Sequence, residues 1–110
     1  MTGHSAEGQF LVQLFLPLDD NAGNPLPRTL FDTVRGELTE AFGGATAFLR
    51  APATGAWEDR DGKVQRDEVV LLEVMVDGLD RDWWSRYRQE LERRFQQDEV
   101  VVRATPIQVL

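Results

Sequence analysis

The stretch Asp67 to Asp77, DEVVLLEVMVD, sets the strongest limit on what this chain can become. A run of Val and Leu this long, bounded by acids, suits a central β-strand with both faces covered. Its even positions, Val70, Leu72, Val74 and Val76, are uniformly apolar. Its odd positions, Val69, Leu71, Glu73 and Met75, form a second apolar face with one carboxylate in its middle. A strand of this kind implies a sheet with one side on its own helices and the other against something else.

The remaining pattern supplies the partners of that strand. Residues 1–8 hold Gly, Ser and Thr without apolar periodicity and are expected to be a flexible leader, leaving 9–110 as a single domain. From Gln9, QFLVQLFL alternates as a first strand, with Phe10, Val12, Leu14 and Leu16 on one face and Leu11, Gln13 and Phe15 on the other. Pro17 to Pro27 is dense in turn formers and reads as a surface loop. A helix capped by Thr29 follows, with Leu30 or Phe31, Val34, Leu38 and Ala41 or Phe42 as its inward stripe. Gly43 and Gly44 end it.

Ala45 to Arg50 reads as a second strand. Trp57-Glu58 and Lys63-Val64, joined across Asp61-Gly62, read as a hairpin that returns the chain to the central strand. Gly78 is expected to end that strand, and Asp80 or Asp82 to cap a second helix whose stripe is Trp84, Tyr87, Leu91 and Phe95. The outer face of that helix carries opposite charges four residues apart. Val100 to Leu110 is the last strand, and Pro106 favours an edge position because it lacks a donor.

Strand, helix, strand, strand, helix, strand predicts an α+β fold of the ferredoxin-like βαββαβ type. It has a four-stranded antiparallel sheet with two helices on one face. The helix-free face then carries Leu11, Phe15, Val69, Leu71, Met75, Val101 and Ile107. Apolar patches of that extent rarely stay exposed on a monomer, so a homodimer through the sheet is the favoured partner arrangement.

Composition narrows the function classes. The chain has 110 residues, 42% of them hydrophobic, enough for one core. A net charge of -7 argues against nucleic acid. There is no cysteine, and the single histidine, His4, lies outside the expected core, which leaves neither thiolate chemistry nor a histidine-based triad. No run approaches a membrane span and the first residues do not resemble a secretory signal, so a cytoplasmic location without membrane contact is expected. Residues 57–68 have the spacing of a calcium loop, but Trp57 occupies its first ligand position. No metal and no cofactor are expected.

From Phe42 onward, FGGATAF, then GAWEDRDGKVQRDEVVLLEV, then RFQQDEVVVRATPIQV resembles an uncharacterised bacterial family of small ferredoxin-like domains. The architecture also resembles the dimeric α+β barrel proteins, which include small enzymes and cofactor handlers. Neither resemblance brings a catalytic motif with it.

The candidate ligand-binding or interface residues are Gln13, Arg50, Trp57, Glu73 and Arg103. Strand parity places Arg50, Glu73 and Arg103 on the helix-free face with Gln13 beside them. A carboxylate in an apolar contact needs such partners. They are expected to form either an ion-pair network at a dimer contact or a pocket holding an anionic ligand, with Trp57 as a core plug or a lid. The resulting expectation is a small dimeric binding or interaction module without demonstrable catalysis. One alternative is a dimeric α+β barrel-type enzyme, an isomerase or monooxygenase acting on a small anionic or aromatic substrate. The other is a subunit that docks on a different protein.

Overall fold

In the computed structural model the backbone is described for residues 5–43, 46–49, 57–58, 64–65 and 69–110, and side chains for 8–43 and 69–110. The fold is α+β. Its strands are β1 (Ser5–Pro17), β2 (Thr46–Leu49), β3 (Trp57–Glu58), β4 (Val64–Gln65), β5 (Val69–Asp80) and β6 (Val101–Ile107), with helices α1 (Arg28–Phe42) and α2 (Arg81–Arg94). The main antiparallel sheet has the order β2-β5-β1-β6, and β3 and β4 form a separate hairpin. Three long strands carry the sheet, and β2 adds four residues at one edge. This arrangement is consistent with the expected ferredoxin-like topology.

Parity decides the core. Val12, Leu14 and Leu16 of β1 and Leu72, Val74 and Val76 of β5 point to one face. They are buried there with Val34 and Leu38 of α1 and with Trp84 and Leu91 of α2, so both helices cover the same side. The predicted stripes therefore hold, with Phe95 and Val100 completing the core beyond α2. Ala41 is exposed, and Phe42 takes the inward position of that pair.

Two glycines explain where the strand limits differ from expectation. β1 starts at Ser5, so the end of the expected leader pairs with β5 (Ser5 with Asp80, Ala6 with Leu79). Between these pairs and Gln9–Asp77 the register shifts. Glu7 and Gly8 oppose Gly78 alone, and the left-handed φ of Gly8 (96°) and Gly78 (77°) accommodates the bulge. Gly78 thus bends β5 instead of ending it.

The helix ends follow from local chemistry. The α1 N-cap is Pro27, in an extended conformation with no side-chain cap, so Thr29 does not serve as the cap. Its carbonyl accepts instead from the Thr33 hydroxyl, 2.8 Å away. Gly43 closes α1 in the left-handed region, where its amide donates to the Thr39 carbonyl. Asp80 caps α2 as expected, its Oδ1 accepting from the Trp83 amide at 3.1 Å. β6 lies at a sheet edge, where Pro106 costs no interior ladder bond.

The helices are joined to each other by ions and a phenol. Arg94 donates twice to Glu37 (2.7 and 3.1 Å) and once to Glu90 (2.7 Å), and the Tyr87 hydroxyl donates to Glu37 Oε1 at 2.8 Å. The Arg94 guanidinium holds the Glu37 carboxyl below its usual range. Hydrogen bonds from Arg93 and Arg94 take Glu90 down to about 2. Burial, and then the neighbouring Glu37 carboxylate, push the Tyr87 hydroxyl well up. The four-residue pairs Arg88–Glu92 and Glu90–Arg94 are formed. Among the described residues no helix is long and apolar enough to cross a membrane.

Candidate functional site

The helix-free face is built in rows, because each odd position of β5 from Leu71 to Asp77 meets a β1 residue and, through it, a β6 residue. Leu71, Phe15 and Val101 form one row; Glu73, Gln13 and Arg103 the next. Met75, Leu11 and Thr105 follow, and then Asp77, Gln9 and Ile107. Apolar and polar rows therefore alternate across β5 and β1. Met75 and Val101 are among the exposed large hydrophobic residues, whereas Leu71 is buried.

The polar rows are hydrogen-bonded side chain to side chain. Gln13 Nε2 donates to Glu73 Oε2 at 2.6 Å, and Arg103 Nε donates to Gln13 Oε1 at 2.8 Å. Arg103 thus fixes which way the Gln13 amide faces, since its oxygen must meet the guanidinium and its nitrogen the carboxylate. The same guanidinium lies 4.8 Å from the centre of the Phe15 ring. One polar row further along, Gln9 Nε2 donates to Asp77 Oδ1 at 3.1 Å. The face therefore carries two carboxylates, each oriented by a glutamine from β1. They lie four residues apart on β5, roughly 13 Å at the usual strand rise.

Beside Asp77 the surface opens. A cavity of about 460 Å³ is bordered by Gln9, Met75, Asp77, Phe42 and Val109. A second, of about 310 Å³, shares Phe42 and Asp77 and continues to Asp80, Trp83 and Trp84. The aromatic wall is tightly packed: Phe42 stacks on Trp84 with centroids 5.3 Å apart, and Trp83 meets Trp84 edge to face at 4.8 Å. Trp83 and Trp84 were expected mainly to pack, and they do, while also lining this hollow.

Three of the five candidate residues, Gln13, Glu73 and Arg103, are brought together. Arg50 lies outside the described residues. Trp57 belongs to β3, paired with Gln65, and its side chain is likewise not described. Most of the calcium-like spacing, including Asp59, Asp61, Gly62 and Glu68, also lies outside them. Among the described residues no group of His, Cys, Asp or Glu is placed to hold a metal ion. The acidic turn at Asp20 is occupied by its own backbone: the Ala22 and Asn24 amides donate to Oδ1 at 2.9 and 2.8 Å, lowering the carboxyl pKa. Gln9 and Asp77 are the residues that sequence reasoning missed. Their signal was the equal spacing of Gln9 and Gln13 on one strand and of Glu73 and Asp77 on its antiparallel neighbour.

Comparison with known proteins supplies the fold's company. No family model matches the chain. No curated protein matches its sequence. Among solved structures, the chain is similar to a phage SAM lyase in complex with S-methyl-5'-thioadenosine. The TM-score is 0.61 at 16% identity, over 92% of this chain and 83% of that one. The expectation of a binding module without catalysis is corrected by this comparison, because a solved protein of similar fold is a lyase in complex with S-methyl-5'-thioadenosine.

Proposed function

We propose that this chain is an enzyme of the ferredoxin-like class that binds a small nucleoside sulfonium along its helix-free face and cleaves a carbon–sulfur bond in it. The observation that carries this reading is the pair of glutamine-held carboxylates, Glu73 and Asp77, flanking the apolar row of Leu11 and Met75. Carboxylates oriented in advance attract a cation. The aromatic wall of Phe42 and Trp83 beside Asp77 suits a purine base or the sulfonium itself. The overall charge of -7 draws a cationic substrate rather than an anionic one. The similarity in fold to a SAM lyase supports the choice of reaction class.

In such a cleavage the substrate's own carboxylate attacks the carbon bound to sulfur, the carbon–sulfur bond breaks with its electron pair passing to sulfur, and a neutral thioether leaves beside the lactone formed on the carbon. The sulfonium and carboxylate charges cancel on the way to the transition state, so a water-poor apolar setting favours the step. The carboxylates bind and orient the cation, Gln13 and Arg103 hold Glu73 in place, and the rows of Leu71 and Met75 supply the apolar setting. A second copy of the chain packed over Met75 and Val101 would exclude water from the face, and light scattering at the mass of one subunit would remove that part of the proposal.

The test is direct. Incubation of the protein with S-adenosylmethionine should release S-methyl-5'-thioadenosine, followed by chromatography, above a protein-free blank. Glu73→Gln and Asp77→Asn should each lower kcat/KM about tenfold or more, a loss of about 1.4 kcal/mol of transition-state stabilisation per tenfold. Release no greater than the blank would reject the sulfonium reading.

A further inference from the structure

On the helix side of the sheet a groove of about 380 Å³ runs between α2 and the edge strand β6. Its floor is apolar, made by Phe10 and Val12 of β1 and by Trp84 of α2. Arg81, Ser85 and Arg88 lie along its rim, spaced four and three residues apart so that all three share one face of α2. Among the described residues no acidic one lines it, although Glu92 pairs with Arg88 beside it. In a chain with nineteen acids and twelve bases, a hollow bordered only by cationic, hydroxyl and apolar side chains is a marked local reversal of charge. Arg103 also borders it, with its Nε committed to Gln13 on the other face.

We infer that this groove binds a small amphiphilic carboxylate, its apolar chain on Phe10, Val12 and Trp84 and its head group between Arg81 and Arg88. Guanidinium forks match a carboxylate in two parallel hydrogen bonds, and Ser85 adds a hydroxyl donor between them. A singly charged head group is favoured over a phosphate because Arg88 is already paired with Glu92, 2.7 Å away. The volume is that of an ordinary small-molecule site, and the apolar floor accounts for the tail. This site does not depend on the sulfonium reading, which uses the opposite face.

The experiment is titration of the full chain with octanoate, followed by calorimetry and by tryptophan fluorescence, with octanol and octylammonium as matched probes. Octanoate should bind saturably at one site per chain, with both other probes at least tenfold weaker. Combined Arg81→Ala and Arg88→Ala should weaken octanoate at least tenfold. Because loss of Arg88 leaves Glu92 without its partner, Arg81→Glu alone serves as the second variant. Arg81 is exposed at the start of α2, and circular dichroism checks that the fold is kept. Arg81→Glu should reproduce the loss. Octylammonium binding as tightly as octanoate, undiminished octanoate binding by Arg81→Glu, or no saturable binding would each overturn the assignment.

Discussion

The two faces of the sheet use the same strands for opposite purposes. On the helix side, Leu14, Leu16 and Leu72 are wholly enclosed, and among the described residues no polar or charged one is buried. On the other side, every second row carries a carboxylate held by a glutamine, and Met75 stays 58% exposed between them. Free energy of folding is concentrated on the first face, where apolar area leaves water without leaving a polar group unpaired. The second face is only partly dry and already organised around charge, as the sulfonium proposal requires.

The largest effect that tests this contrast is a pair of truncations three residues apart on β5, on opposite faces. Leu72→Ala should cost about 2–5 kcal/mol, because its side chain is fully enclosed and the cavity it leaves cannot collapse. Met75→Ala should cost under about 1 kcal/mol in an isolated subunit. Urea unfolding of both variants measures the difference. If a second copy covers the face, the Met75→Ala cost should grow with protein concentration, since the loss then falls on association. Equal costs for the two variants at low concentration would abolish the distinction between the faces.

How far this contrast could be read without coordinates depended on the residue. Even and odd positions of β5 announced the two faces, because a strand's side-chain period is fixed at two. The helix stripes were equally legible, for Val34 and Leu38 recur at helical spacing. The bulge at Gly8 and Gly78 was not, since a glycine that bends a strand and one that ends it look alike in sequence. Nor was the Glu37–Arg94 tie, whose partners lie 57 residues apart on different helices. The row of Gln13, Glu73 and Arg103 was found from parity, but its hydrogen-bond order, with Gln13 in the middle, needed the register. Gln9 and Asp77 were missed because neither stands out in an apolar run.

A smaller effect separates the helix layer from the helix-free face by pH. Glu37 has its pKa lowered in the folded chain, chiefly by Arg94, so its contribution is fully present above the ordinary value of 4.5 and is lost as pH falls through the lowered one. Glu90 behaves alike, with its window running from 4.5 to about 2. Glu37→Gln should therefore cost about 1 kcal/mol at neutral pH, allowing for the solvent screening of a pair that is partly exposed. It should also flatten the loss of stability below pH 4.5, as measured by denaturant titration at a series of pH values. An unchanged acid limb would place the sensitivity elsewhere.

The smallest expected effect on stability is the one that bears most on function. Glu73→Gln keeps the shape of the side chain and removes its charge from a half-buried position, where Gln13 Nε2 still finds an amide oxygen to accept from. The unfolding free energy should move by less than about 0.5 kcal/mol in either direction, as it does for most substitutions outside a packed core. The same variant should lose about tenfold or more of any sulfonium cleavage. A stability loss near that of Leu72→Ala would instead mean that the carboxylate is part of the fold's framework, with Arg103 and Gln13 arranged to neutralise it rather than to aim it. Small cost and large functional loss together are what a group held ready for a ligand predicts, since its hydrogen bonds orient it without the sheet depending on them.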